Sequence, residues 1–273
     1  MRILFWMFTT VLLWGCSDSD LPQYSRLGSL RVLAVKASPT EVNPGGGPIS
    51  VSVTPLVSDL NGAGRSLTYV LETCADPGVS LGAAATCTAD PAKTSQTGTF
   101  TMVAPRYTQT APGTTVNVPA SIFANRNAIE RFNGIAFLIT YQVSAANGET
   151  SKSFKRVVAT ERTPVNAEPT FTGMLDSDSN PVAALPKSEK TLVPVLSGTT
   201  ETFSVMLADG TLDTRTERLT TSWFISDGTM KYSRTVGTDG NLYTPPDSSA
   251  LALFLVAVIR DSRGSADFIV VGP

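Results

Sequence analysis

The stretch that decides the fold runs from residue 135 to residue 159 and reads IAFLITYQVSAANGETSKSFKRVVA. Between Ile135 and Val143, every second side chain is large and apolar. Such a period of two directs alternate side chains to opposite faces of a β-strand. Asn147 and Gly148 then provide a strong turn signal, and residues 151–159 return. The sequence therefore predicts an antiparallel β-hairpin here.

The same kind of alternation recurs along most of the chain. It is found at residues 30–37, 49–54, 67–71, 203–207, 219–225 and 266–271. Only 16% of the residues are charged, and many short strands separated by Gly and Pro turns are typical of β-sandwiches. We therefore predict an all-β fold of two tandem immunoglobulin-like β-sandwiches, at residues 29–161 and 170–273. A proline-containing linker at residues 162–169 would join them.

For three segments and for Trp223, the sequence predicts a particular structure. Pro119 to Phe132 is the single predicted helix, capped by Ser121, and the polar segment from Cys74 to Thr99 is predicted to be an irregular excursion. The apolar run from Leu251 to Ile259 fits a central strand that is covered on both faces, in part by the neighbouring domain. Trp223 lies in the middle of an alternating strand, which favours a core position over a surface binding role.

The first residues have the pattern of an export signal. Arg2 is followed by an apolar run from Ile3 to Trp14 and then by Gly15 and Cys16. This run is shorter than the roughly 20 apolar residues that a membrane-spanning helix needs. The pattern therefore predicts a signal peptide over residues 1–15, and an ordinary signal with a chance cysteine is the alternative.

Leu13-Trp14-Gly15-Cys16 resembles the lipobox of bacterial lipoproteins, although Trp14 stands where a smaller residue is common. This resemblance implies cleavage before Cys16 and lipid on its thiol, followed by a tether over residues 16–28. Ser17, rather than Asp, at the next position resembles lipoproteins that move to the outer membrane. The expected location is the cell envelope, with the periplasmic or surface face left open.

The cysteine count agrees with this reading. The chain has three cysteines, so a lipidated Cys16 leaves Cys74 and Cys87 as a pair. In an oxidising compartment such a pair is expected to form a disulfide, and two free thiols are the alternative. The bond would close the excursion after Cys74, which makes this loop the candidate partner surface of the first domain.

Several motifs, taken together, resemble a known group of proteins. They are SLRVLAVKASP at 29–39, VNAEP at 165–169, Ser222-Trp223-Phe224 and VIRDSRG at 258–264. In this order behind a lipobox, they resemble cell-envelope lipoproteins of predatory and gliding bacteria with tandem immunoglobulin-like or PKD-like sandwiches. The resemblance implies an architecture and a location but no activity, and it assigns no binding residue.

The composition excludes several kinds of chemistry. The chain contains no histidine, which excludes a Ser-His-Asp triad, a Cys-His pair and histidine-ligated zinc. A formal charge of −2 provides no basic surplus for nucleic acid. We expect a non-enzymatic protein without catalytic residues, cofactor or metal, which binds or scaffolds a protein or glycan partner at the membrane. The alternatives are a polysaccharide hydrolase with paired carboxylates and a structural subunit of an envelope complex.

Two clusters of charged and polar residues each have two possible interpretations. Asp176, Asp178 and Asn180 alternate as in the start of a calcium loop, but Pro181 stands where such a loop needs glycine. A polar turn is the favoured interpretation, and calcium binding by another geometry stays open. Lys152, Lys155 and Arg156 form a basic cluster, for which a charged strand edge is favoured over contact with anionic lipid or polysaccharide.

Overall fold

The structure is a computed structural model that describes residues 24–78, 85–87, 90–198, 200–249 and 252–273. Strands dominate these residues, and the predicted all-β fold class is confirmed. Within the described ranges, none of the helices has the length and apolar character that a membrane crossing requires.

Nineteen strands and four short helices make up the described residues. In chain order the strands are β1 (Arg31–Ser38), β2 (Glu41–Val42), β3 (Ile49–Ser58), β4 (Ser66–Ala75), β5 (Thr94–Thr101), β6 (Thr108–Thr110), β7 (Thr114–Val118), β8 (Ile135–Ala145), β9 (Thr150–Ala159), β10 (Thr170–Asp176), β11 (Lys190–Ser197), β12 (Thr202–Met206), β13 (Leu212–Thr216), β14 (Thr220–Ile225), β15 (Thr229–Met230), β16 (Arg234–Val236), β17 (Asn241–Thr244), β18 (Leu255–Arg260) and β19 (Ala266–Val271). The α-helix is α1 (Ala128–Asn133), and 3-10 helices lie at Pro44–Gly46, Leu60–Gly62 and Ala120–Phe123.

The first sandwich packs a four-stranded sheet against a five-stranded sheet. In the smaller sheet, β3 pairs with β1 along one edge and with β6 and β7 along the other, and the larger sheet has the order β2-β9-β8-β4-β5. Alternate residues of β3 and β8, among them Val51, Val53, Ile139 and Tyr141, are fully buried between the sheets. The predicted hairpin is the β8–β9 pair, turned at Gly148 with φ +87°.

The prediction of a single helix from Pro119 to Phe132 is wrong. The segment holds a 3-10 helix at Ala120–Phe123, a break, and then α1. Asn127, rather than Ser121, caps α1, because its side chain accepts from the Glu130 N–H while the Glu130 carboxylate accepts from the Asn127 N–H. This reciprocal capping box sets a later helix start than the apolar spacing indicates.

The irregular excursion predicted from Cys74 to Thr99 is shorter than expected. β4 continues through Cys74 to Ala75, and β5 begins at Thr94, directly opposite Thr73. β5 is an edge strand whose side chains are mostly exposed and polar, so it has no apolar period that the sequence could reveal. The connection between the two strands is therefore limited to residues 76–93.

The second sandwich has two four-stranded sheets and one separate hairpin. The sheet orders are β10-β11-β17-β15 and β16-β14-β18-β19, and β12 pairs with β13 outside both sheets. Trp223 is fully buried between the sheets, and its Nε1 donates to Thr235 Oγ1 at 3.0 Å. The predicted core role of this tryptophan is thus confirmed.

β18 is covered on both faces, as its apolar sequence predicted. Leu255 and Ala257 face the core of the second sandwich, whereas Val256 and Val258 belong to a separate apolar cluster. That cluster joins the two sandwiches, and we call it the interdomain cluster. Its buried members are Leu27, Leu33, Ala34, Leu56, Phe224, Phe254, Val256 and Val258. One strand therefore contributes to two cores at once.

The predicted tether and linker are both more closely packed than expected. The Leu27 N–H donates to the Ile225 carbonyl and the Ile225 N–H donates to the Ser25 carbonyl, both at 2.8 Å. The part of the tether from Ser25 onward thus extends the second sandwich. In the linker, Arg162 and Asn166 are buried between the domains. Cys16 lies outside the described residues.

We expect Leu56→Ala to lower the free energy of unfolding by about 2–5 kcal/mol, because it opens a cavity in the interdomain cluster. The measurement is chemical denaturation followed by tryptophan fluorescence, with Trp6→Phe/Trp14→Phe as the background so that Trp223 is the sole tryptophan. This signal reports on the second sandwich although Leu56 belongs to the first. Leu212→Ala, at an exposed position of the β12–β13 hairpin, is the matched control and should cost less than about 0.5 kcal/mol. A Trp223 transition unchanged by Leu56→Ala would contradict energetic coupling of the domains.

Candidate functional site

The two sandwiches are held together by a buried network of charges centred on Glu41. Its carboxylate accepts from Arg162 Nη2 at 2.6 Å and from the Asn166 N–H at 3.0 Å, and it also pairs with Arg263. Glu41 belongs to the first sandwich, Arg162 and Asn166 to the connection, and Arg263 to the turn between β18 and β19. The side chains of Glu41, Arg162 and Arg263 are 2%, 7% and 6% exposed. We call these contacts the Glu41 network.

Further acids complete the network from the second sandwich. Arg263 Nη1 lies 3.4 Å from both Glu201 and Glu217, and its guanidinium lies over the Phe203 ring. Burial raises the pKa of Glu217, and the negative charge of Asp261 adds to the effect. Glu201 and Glu217 are thus both engaged by the same arginine.

The predicted basic cluster of Lys152, Lys155 and Arg156 is not a cluster in the structure. Successive residues of β9 point to opposite faces, so Lys152 is exposed while Lys155 is buried against the Gly264 carbonyl in the second domain. Arg156 pairs with Asp76 beside the disulfide-closed loop. Burial lowers the pKa of Lys155 to about 8, and nearby Asp261 offsets only part of the effect.

The predicted disulfide between Cys74 and Cys87 is present, with the two Cα atoms 5.6 Å apart. Both cysteines are buried against Leu138, in a small cluster at one end of the first sandwich. Beside them an open groove of about 400 Å³ runs between the end of β4 and the 3-10 helix that contains Ile122. The candidate partner surface predicted from the loop therefore includes a concave, largely apolar groove.

The Asp176 segment forms a polar turn between β10 and β11. Asp176 Oδ1 accepts from the N–H groups of Asp178 and Asn180, both at 2.9 Å, and Asp178 pairs with Lys190. These amide donors lower the pKa of Asp176. The oxygens that a cation would use are thus engaged by donors of the chain itself, as in an Asx turn.

A pocket lined by arginines lies next to the turn that carries Arg263 of the Glu41 network. It has a volume of about 650 Å³ and opens between β14, β16 and the end of β18. Its lining residues are Tyr24, Arg218, Thr220, Ser222, Arg234, Arg260, Asp261 and Ser262. We call it the arginine pocket. The guanidinium group of Arg234 lies 5.6 Å from the centroid of the Tyr24 ring, and that of Arg31 lies 5.0 Å from it.

Sequence reasoning did not find the arginine pocket. Arg218, Arg234 and Arg260 are far apart along the chain and belong to no motif, so only the pairing of β14 with β16 and β18 brings them together. The one local signal is VIRDSRG at 258–264, which contributes to the family resemblance but indicates no pocket. Its charges separate in the fold: Arg260 lines the pocket, whereas Arg263 lies in the Glu41 network.

Comparisons with known proteins assign no family to this chain. No protein-family model and no curated protein sequence matches this chain. Among solved structures, a transglutaminase from red sea bream is similar over 90% of this chain and 31% of its own, with 12% sequence identity and a TM-score of 0.28. The chain thus spans about a third of the length of that protein.

We expect Glu41→Gln to lower the free energy of unfolding by about 3–5 kcal/mol, because it leaves two buried guanidinium groups without their shared carboxylate. Thermal and chemical denaturation measure this loss. Glu72→Gln removes the half-buried partner of the exposed Lys93 and is the matched control, with an expected cost below about 1 kcal/mol. Equal stability losses in the two variants would contradict the central position of Glu41.

Lys155→Met is expected to stabilise the protein at pH 7 by at most about 3 kcal/mol, because it removes the cost of burying an ammonium. The folded pKa of about 8 lies below the unfolded value of 10.5. The unfolded chain therefore binds more protons between these values, and native stability rises with pH there. The advantage of the variant should shrink across this window in denaturation experiments from pH 7 to 10.5. A constant difference at every pH would contradict the burial of a charged Lys155.

Proposed function

We propose that this chain is a lipid-anchored, non-catalytic protein of the bacterial cell envelope that binds or scaffolds a protein or glycan partner. The short apolar run before Gly15-Cys16 supports export and lipidation, and the Cys74–Cys87 disulfide agrees with an oxidising compartment outside the cytoplasm. The outer membrane is the proposed location.

The observation that carries the proposal is the firm joining of the two sandwiches. An interdomain apolar cluster and a buried ionic network lie side by side, so the domains have no free hinge between them. Interfaces that permit domain motion are typically smaller and more polar. A rigid body on a short anchor is suited to presenting fixed surfaces to a partner.

The anchor would join this rigid body directly. Cys16 and Tyr24 are eight Cα–Cα steps apart, with seven residues between them, and the chain is held to β14 from Ser25 onward. A segment of that length spans at most about 28 Å when fully extended. The partner surface that we favour is the groove beside the disulfide, because loops on a rigid scaffold commonly carry binding residues.

The non-catalytic part of the proposal rests on the side chains available. The chain has no histidine, and Glu201 and Glu217 share Arg263 instead of facing an open cleft. Glycoside hydrolysis would require one acid and one base on either side of a bound sugar. No arrangement of that kind among the described residues favours the hydrolase alternative.

The test is a Cys16→Ser substitution in the full chain, expressed in a bacterium with labelled palmitate. We expect the native chain to incorporate label and to fractionate with the outer membrane, and the variant to lose the label because no thiol is left to acylate. Ser17→Ala is the control, since it changes the adjacent residue and keeps the thiol. Label that persists in the Cys16→Ser chain would overturn the anchoring proposal.

A further inference from the structure

We propose that the arginine pocket binds the phosphate group of an anionic phospholipid headgroup in the membrane that carries the anchor. The proposal rests on the lipid anchoring proposed above for the location of the lipid. The site itself is argued from the charges, partners and position of the pocket.

The arginines of the pocket lack acidic partners. Among the described residues, no carboxylate oxygen lies within 4.0 Å of the guanidinium nitrogens of Arg218, Arg234 or Arg260. By contrast, the two buried arginines between the domains, Arg162 and Arg263, are both paired with acids. Three positive groups therefore face one concave surface without neutralisation.

The single acid in the lining does not supply that neutralisation. Asp261 Oδ1 accepts from the N–H groups of Arg263 and Ser265, at 2.9 and 2.7 Å, and its Oδ2 accepts from Asn166 Nδ2 at 2.8 Å. Its carboxylate is thus bound within the turn and the connection, on the side of the Glu41 network. A ligand anion would meet the arginines first.

Arg260 is held in place before any ligand arrives. Its Nη2 donates to the Leu33 carbonyl at 2.9 Å and its Nη1 donates to Ser222 Oγ at 3.2 Å. Burial lowers the pKa of Arg260, and the charge of Arg234 acts in the same direction. An anion between these two arginines would relieve their repulsion, and a fixed guanidinium loses little freedom on binding it.

The chemistry of the lining favours phosphate over a single carboxylate. One arginine fork satisfies a carboxylate, whereas three separated guanidinium groups match the several oxygens of a phosphate. The hydroxyl groups of Thr220, Ser222 and Ser262 lie in the same lining and can donate further hydrogen bonds. The chain as a whole carries a formal charge of −2, so a long polyanion would meet repulsion beyond the pocket.

The position of the pocket indicates a membrane source for this phosphate. Tyr24 belongs to the lining, and its ring contacts the guanidinium groups of Arg31 and Arg234. It is also the first described residue after the proposed anchor segment. The span of about 28 Å from Cys16 keeps the pocket within reach of the headgroup layer. Basic groups close to an anionic leaflet are attracted to it, and this attraction falls off within about a Debye length.

The experiment uses the full chain in micelles of a neutral detergent. Trp6 and Trp14 are replaced by Phe in every variant, so that Trp223 is the sole tryptophan. Thermal unfolding is followed by its fluorescence with increasing phosphatidylglycerol, with phosphatidylcholine, or with inorganic phosphate alone. The test variant is Arg218→Gln/Arg234→Gln, which changes two exposed side chains and leaves the half-buried Arg260 in place. Lys152→Gln/Lys187→Gln also removes two exposed positive charges, away from the pocket, and is the matched control.

We expect phosphatidylglycerol to raise the melting temperature of the native chain and the control in a saturable way, with little effect of phosphatidylcholine. The arginine variant should bind about tenfold more weakly or worse, because hydrogen bonds between charged groups are lost. An equal weakening in both double variants would mean charge attraction alone and overturn the proposal. So would a full effect of inorganic phosphate, which would indicate a free-phosphate site, or the absence of any shift. The readout does not require acylation, so its failure leaves the Cys16 proposal standing, and the reverse also holds.

Discussion

The buried carboxylate of Glu41 is the contact on which the arrangement of the two sandwiches depends. It lies on the two-residue strand β2 and receives Arg162 from the connection and Arg263 from the second domain. The Nε atoms of both arginines are buried without a hydrogen-bond partner among the described residues, so the network is not fully satisfied. Networks of this kind add little net stability, but any other arrangement of the two domains would leave buried charges without partners. Its effect is therefore to select one orientation of the domains.

The apolar interdomain cluster supplies the stability that the ionic network does not. Val256 and Val258 point out of the second sandwich from β18, and Leu33 and Leu56 meet them from β1 and β3. Exposing this surface in a separated domain would return several large side chains to water, at about 25 cal/mol for each Å². Apolar contact thus drives the association of the two domains, and the charges at the border of the cluster fix their relative orientation.

The parts of the fold that the sequence predicted are those with a local period. The β8–β9 hairpin, the core position of Trp223 and the double burial of β18 follow from alternation or from an unbroken apolar run. The edge strand β5 could not be predicted, because its side chains are mostly polar and exposed. The Cys74–Cys87 pair followed from counting cysteines. The Glu41 network and the arginine pocket escaped prediction for one reason: strand pairing gathers their members from distant positions.

These two charged features are physically linked through the turn between β18 and β19. Arg260 faces the arginine pocket, while Asp261 and Arg263 turn into the Glu41 network. Asn166 of the network thereby engages the carboxylate of Asp261, the one acid in the lining of the pocket. Docking of the first sandwich also brings the Leu33 carbonyl to Arg260. The pocket thus owes both its unpaired charge and the position of Arg260 to the same interface, and it is complete only when the two domains are joined.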